Sequence, residues 1–384
     1  MKEETGVQGM SEEVLKDYIR WRGDLPFSVV PLNELDSAVL CELCYVDLSR
    51  VLEPMSGNGI TFRDAYRMIV TKNCYRLLTA IGGQQDFVEA AAESKRFGEL
   101  PVTYYSDVFD SETIQFSAMH FELSPTTSFI AFRGTDNSIV GWKEDFMMIF
   151  THIPSQHKAV EYLKTTMVKN RDYYLGGHSK GGNLAVYAAS LLDEEMKRHI
   201  LRIYNFDAPG FADDVFDMKK IASMDDLLVC FTPYYGLIGN LFARDVKDKR
   251  IVLSVQNNIL QHDLVSWQVK GPRFLYANAL DPRAVVIIDT FKEMMKDLTR
   301  DERKNFVSEL FDAMESGGAE TIDQLLKSSV LLEFLKTLSN AGTQTREVAR
   351  DFSRTALNQS KKRWEVAVER IRREGIHLAR EKKD

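Results

Sequence analysis

Gly177-His178-Ser179-Lys180-Gly181 is a G-x-S-x-G, a serine hydroxyl flanked at two residues' distance by glycines. Such a serine acts as a nucleophile when a strand turns into a helix so sharply that the hydroxyl stands at the tip, where only glycine on either side leaves room. The neighbouring residues suit that turn. Tyr173, Tyr174 and Leu175 are strand formers, Gly176 and Gly177 are expected to break the strand, and Leu184 to Leu192 is a run of helix formers. The helix would aim its amino terminus at an oxyanion formed beside Ser179. A glycine-rich turn of the nucleotide-binding kind is the alternative, but neither G-x-G-x-x-G nor Gly-Lys-Ser/Thr occurs here.

A nucleophilic serine needs a base, an acid that orients the base, and donors for the oxyanion. In hydrolases built on this turn the order along the chain is serine, acid, histidine. Three histidines follow Ser179. His199 falls at the far end of the helix that starts at the serine, and His377 lies in a charged tail, so His262 is the base by elimination. Asp207, directly after a strand at Arg202 to Phe206, is the candidate acid; a turn-forming aspartate before Pro209-Gly210 fits the residue types about as well. Asp263, next to His262 in sequence, is poorly placed to bond the ring. The Lys180 N–H is one expected oxyanion donor. Thr135, at the end of a strand at Ser128 to Phe132, offers a second. The apolar stretch Gly141 to Phe150 is either a flap or a buried helix.

The elements that must position these residues can be read from periodicity. Residues 11–100 read as mainly helical: a helix capped by Ser11 through Val14, Leu15, Tyr18 and Ile19, a second over Glu34 to Cys44, a third over Thr61 to Leu78. Their apolar faces read as core, without chemistry. Val102 to Tyr105, Thr113 to Leu123 and Ser128 to Phe132 read as strands. Helix Ala159 to Lys169, strand Tyr173 to Leu175, helix Asn183 to Leu192 and strands at Arg202 to Phe206, Leu227 to Phe231 and Arg250 to Val255 follow. This alternation predicts an α/β fold with a mostly parallel sheet, flanking helices, and sites at the carboxyl ends of strands. The expected organisation is an α/β-hydrolase-like domain over 11–300, with a helical part at 11–100 and a sheet core at 101–282, then a helical extension over 301–384. Helices are expected at Val285 to Leu298 and Asp301 to Met314.

A chain of 384 residues, 44% hydrophobic and 27% charged, is long enough to bury a large core without staples. Its net charge of -7 argues against nucleic acid as a partner. Seven histidines lack ligand spacing, and the one C-x-x-C, Cys41 and Cys44, lies in an apolar helical stretch with no second pair, so buried thiols and no metal are expected. The amino terminus has no apolar signal region and no run of eighteen apolar residues exists, which points to a cytoplasmic protein without a membrane span. From Lys361 onward basic residues outnumber acidic ones. With Glu365, Glu369 and Glu374 interleaved, an exposed helix is favoured over contact with an anionic surface or a partner helix.

Phe132-Arg133-Gly134-Thr135, then Trp142 with Asp145, then Gly177 to Gly182, resembles the class 3 lipase pattern. The resemblance implies Ser179 as nucleophile, Thr135 and the Lys180 N–H as oxyanion hole, and Asp145 as support for the threonine hydroxyl. Lys180 departs from the usual leucine and sets a cation near the site. Asp17 to Leu25, Asn33 to Asp36, Phe206 to Phe211 and Gln261 to Trp267 are more closely similar to segments of the Mbeg-like family, lipase-like bacterial proteins carrying a domain of unknown function; the likeness covers roughly three quarters of the chain. Class 3 lipases usually carry the acid further on, where Thr232 to Ile238 has no carboxylate. Pancreatic-type lipases carry it after the strand that follows the nucleophile, and Asp207-Ala208-Pro209 is similar to that arrangement.

The expected function is ester hydrolysis, lipase-like or esterase-like, on a small-molecule acyl ester or lipid, with no cofactor and with peripheral membrane contact open to the carboxyl-terminal helix. A non-catalytic protein that keeps the fold as a scaffold is the alternative.

Overall fold

The computed structural model describes residues 13–78, 85–110, 114–135, 139–296 and 298–316. Five helices and a short strand come first: α1 (Leu15–Arg22), α2 (Glu34–Leu43), β1 (Ile60–Thr61), α3 (Phe62–Thr71), α4 (Gln85–Glu93) and α5 (Lys95–Gly98). Three long strands follow, β2 (Pro101–Asp110), β3 (Ile114–Ser124) and β4 (Thr127–Phe132), then α6 (Ile139–Phe150) and α7 (Pro154–Thr166). The central units are β5 (Asp172–His178), α8 (Lys180–Ser190), α9 (Glu194–Lys197), β6 (Ile200–Phe206), α10 (Met218–Ala222), β7 (Leu228–Pro233) and β8 (Asp248–Val252). Three two-residue strands, β9 (Val269–Lys270), β10 (Arg273–Phe274) and β11 (Tyr276–Ala277), precede α11 (Pro282–Lys296) and α12 (Arg300–Ser316).

Among the described residues, nine strands form one sheet in the order β1-β2-β3-β4-β5-β6-β7-β8-β11. From β4 to β8 the neighbours are parallel. The β1–β4 end and the β8–β11 edge are antiparallel. This is an α/β-hydrolase-like architecture. Side-chain alternation sends each strand to two cores. Phe129 and Ala131 of β4 join Met119, Phe121 and the amino-terminal helices, whereas Ile130 and Phe132 join Leu175, α7 and α8. A third cluster brings Ile149 and Phe150 of α6, Phe291 and Met295 of α11 and Phe306 and Val307 of α12 against Ala212 and Ile238, which follow β6 and β7.

Several elements differ from the sequence-based expectation. Strand β5 runs through Gly176 and Gly177 instead of breaking there, because these glycines make room: a Cβ on Gly176 would sit 2.7 Å from Phe129 Cζ and 3.1 Å from Cys41 Sγ. Helix α8 starts at Lys180, three residues before Asn183, and α7 starts at Pro154, whose missing N–H costs nothing in the first turn. Helix α3 stops at Thr71 rather than Leu78: Asn73 takes φ 52°, and Leu77 bridges to Val46 in extended form. Cys41 and Cys44 are buried free thiols, as their apolar setting predicts. The cap at Ser11, His377 and the charged tail lie outside the described residues, as does all of 317–384.

The helical layer is fastened by a buried ion pair. Arg96 Nε and Nη2 donate to Asp36 Oδ1 and Oδ2 at 2.7 and 2.6 Å, and both side chains are 0% exposed. Arg96 also donates to the Leu25, Val30 and Pro31 carbonyls, and the Tyr18 hydroxyl to Asp36. Removing one member strands the other charge, so Asp36→Ala is expected to destabilise the chain by about 3–5 kcal/mol in urea unfolding. A cost below about 1 kcal/mol would mean that the pair is dispensable.

Candidate active site

Ser179 caps α8 with φ 54° and ψ −130°, a backbone region that costs a non-glycine residue about 1–3 kcal/mol. Its neighbours impose the turn. A Cβ on Gly177 would lie 2.1 Å from the Gly181 carbonyl carbon, and one on Gly181 would lie 2.1 Å from the Phe132 carbonyl oxygen. The Ser179 N–H donates to the Phe206 carbonyl at 2.9 Å, which fixes the tip of the turn to the end of β6. The first turn of α8 therefore directs its N–H groups toward the serine side of the sheet.

His262 Nε2 is 3.0 Å from Ser179 Oγ, and His262 Nδ1 is 2.6 Å from Asp207 Oδ2. The three residues are 4%, 3% and 1% exposed. Asp207 follows β6 with φ 51°, a second strained backbone at this edge. Its other oxygen, Oδ1, accepts from the Thr232 hydroxyl at 2.8 Å and the Gly239 N–H at 3.0 Å. Gly239 must be glycine for this approach, because a Cβ there would sit 2.2 Å from that oxygen. Asn240 Nδ2 donates in turn to Thr232 Oγ1 at 3.0 Å.

The loop carrying His262 is a 3-10 turn, Asn258–His262, pinned from several sides. The buried Trp267 indole donates to the Gln261 carbonyl at 2.7 Å, and Gln261 Oε1 accepts from the Tyr235 N–H at 2.7 Å. His178 Nε2 lies 2.8 Å from the His262 carbonyl oxygen. His199, by contrast, is 3.4 Å from Asp172, at the opposite end of β5. Asn183 Nδ2 ties α8 to the Pro209 carbonyl after Asp207 at 3.0 Å.

Thr135 stands beside the serine: a Cβ on the preceding Gly134 would be 3.3 Å from Ser179 Cβ. The Thr135 hydroxyl donates to Asp145 Oδ1 at 2.5 Å. Residues Met148, Ile149 and Phe150 of α6 are buried. The Lys180 side chain is fully buried as well. Among the described residues no cluster of His, Cys, Asp or Glu has the makings of a metal site, and no helix is long and apolar enough to cross a membrane.

Asp263 is the other acid of this loop. Burial pushes its carboxyl up to about 7 from the ordinary 3.8, against smaller opposing effects of the Val265 N–H and His262. Between those two values the folded chain holds a proton that the unfolded chain has released. Stability from this group is therefore full below the lower value and lost as pH rises toward the upper one. Asp263→Asn removes the dependence. Its unfolding free energy relative to wild type is expected to rise by about 3 kcal/mol between about pH 4.5 and about pH 7.5. A difference that stays flat with pH would contradict this.

The turn at Ser179 after β5, Asp207 after β6 and His262 after β8 thus meet at one edge of the sheet. The chain belongs to the Mbeg1-like family, whose sequence profile matches residues 91–312. Among solved structures it is similar to the M37 lipase, at 15% identity over 54% of this chain and 70% of that one with a TM-score of 0.33. It is also similar to the Rhizomucor miehei lipase in complex with its propeptide, at 14% identity over 65% and 83% with a TM-score of 0.32. No curated protein matches it.

Proposed function

We propose that this chain is a serine ester hydrolase that works through an acyl-enzyme. The observation that supports this reading most is the hydrogen-bonded line from Ser179 Oγ through His262 to Asp207, at 3.0 and 2.6 Å. His262 Nε2 takes the hydroxyl proton as Ser179 Oγ attacks the ester carbonyl, and Asp207 holds the resulting imidazolium. The tetrahedral oxyanion receives the N–H of Lys180, at the first position of α8, and the N–H of Thr135, each worth about 3 kcal/mol in the barrier. The Thr135 hydroxyl has a single hydrogen and gives it to Asp145, so it fixes the turn while the backbone N–H faces the oxyanion. His262 then returns its proton to the leaving alkoxide. Water, activated by the same nitrogen, releases the acid.

The reading is tested with p-nitrophenyl esters of graded chain length, with and without detergent, because Ser179 is almost enclosed. Turnover that disappears in His262→Ala is expected, and the chain-length profile then defines the acyl group. A folded wild-type protein that turns over no ester under either condition would contradict the mechanism.

A further inference from the structure

The line Ser179–His262–Asp207 leaves a second imidazole unused. His178, the last residue of β5, is buried, and its ring centre is 4.7 Å from that of His262 with the planes inclined by 38°. Its Nε2 is 2.8 Å from the His262 carbonyl oxygen, which can only accept, so Nε2 carries the hydrogen. Its Nδ1 faces two oxygens, the Tyr45 hydroxyl at 3.2 Å and Glu42 Oε1 at 3.4 Å. Glu42 projects from α2, is 8% exposed, and its Oε1 has no hydrogen-bond partner among the described residues.

We propose that His178 is the positioning residue of the general base: as the neutral Nε2–H tautomer it anchors the backbone of His262, while its Nδ1 lone pair accepts one hydrogen, from the Tyr45 hydroxyl or from Glu42 as the neutral acid. This rests on the reading of His262 as the base. An ionised Glu42 beside a doubly protonated His178 would also satisfy Oε1, but two effects oppose it. Burial, reinforced by the neighbouring His262, holds the His178 ring well below its ordinary value; burial, reinforced by Asp263, holds the Glu42 carboxyl well above its own. Moreover His262 must itself become an imidazolium during the reaction, and a second positive ring at this distance would resist that step. The neutral arrangement therefore fixes the base at both ends. Asp207 holds its ring, and His178 holds its main chain.

The test uses the full chain with histidine labelled by nitrogen-15, the His178 signals being assigned by their loss in His178→Gln. At pH 7 the expected spectrum has one protonated nitrogen, Nε2, and one bare nitrogen, Nδ1. The rate of Ser179 labelling by a fluorophosphonate supplies the second readout. His178→Phe is expected to slow it at least tenfold, and His178→Gln, whose amide nitrogen falls near the position of Nε2, to recover most of the loss. Glu42→Gln, which still donates, is expected to label at least fivefold faster than Glu42→Ala. A doubly protonated His178, or a Phe variant that labels at the wild-type rate, would overturn the proposal. The tautomer is read without any turnover. Absence of labelling in the wild type would therefore sink the hydrolase reading, while the spectrum still decides the state of His178.

Discussion

Ser179→Gly is expected to lower ester turnover on the order of 10⁶-fold while making the folded chain more stable. The first effect is the loss of the oxygen placed 3.0 Å from His262 Nε2 in the proposed line. The second comes from the backbone. At φ 54° and ψ −130° a side chain stores strain that glycine does not. Offset by the greater freedom of an unfolded glycine, the gain is about 1 kcal/mol. Ser179→Ala is the control, since it removes the oxygen and keeps the Cβ. It should be as inactive as the glycine variant and no more stable than wild type. A glycine variant that unfolds at lower urea than Ala would show that the turn is not strained.

Asp207→Asn is the second large effect, a loss in kcat of about 10⁴-fold with the fold intact. The direction follows from the donors around this side chain. Thr232 Oγ1 and the Gly239 N–H both give hydrogens to Oδ1, so an asparagine must place its oxygen there. Its amide nitrogen is then forced to the Oδ2 position, 2.6 Å from His262 Nδ1. That nitrogen has hydrogens to give, so Nδ1 must accept and Nε2 must carry the ring proton. A protonated Nε2 cannot take the proton of Ser179. Measuring kcat in the purified variant checks this, and a loss below tenfold would mean that Asp207 is only a turn residue.

Much of this arrangement was legible in the sequence because it rests on local rules. G-x-S-x-G with strand formers before it and helix formers after it locates Ser179, and chain order with elimination leaves His262. The residue types around Asp207 fit an acid and a turn former alike, and its geometry fits both descriptions: it bonds His262 and also adopts φ 51°. What stayed hidden was contributed across long separations. Thr232 to Ile238 has no carboxylate to mark it, yet Thr232 and the adjoining Gly239 hold Oδ1 of Asp207. The helices before the sheet read as plain core, because Glu42 and Tyr45 occupy ordinary positions on or just after an apolar helix. Nothing in their spacing announces that they meet His178, over a hundred residues away in sequence. Glycines misled for a related reason: Gly176 and Gly177 act by packing inside a continuous strand, whereas propensity alone treats them as breakers. Alternation of helices and strands signals the parallel centre of the sheet and carries no mark of its antiparallel ends.

The most direct test of the central claim is reaction of the purified chain with a fluorophosphonate, followed by digestion and mass spectrometry of the labelled peptide. The account predicts one stoichiometric adduct, on Ser179, formed at a rate that falls in both His262→Ala and Asp207→Asn. A folded protein that takes up no label with or without detergent, or that carries it on another residue, would contradict it.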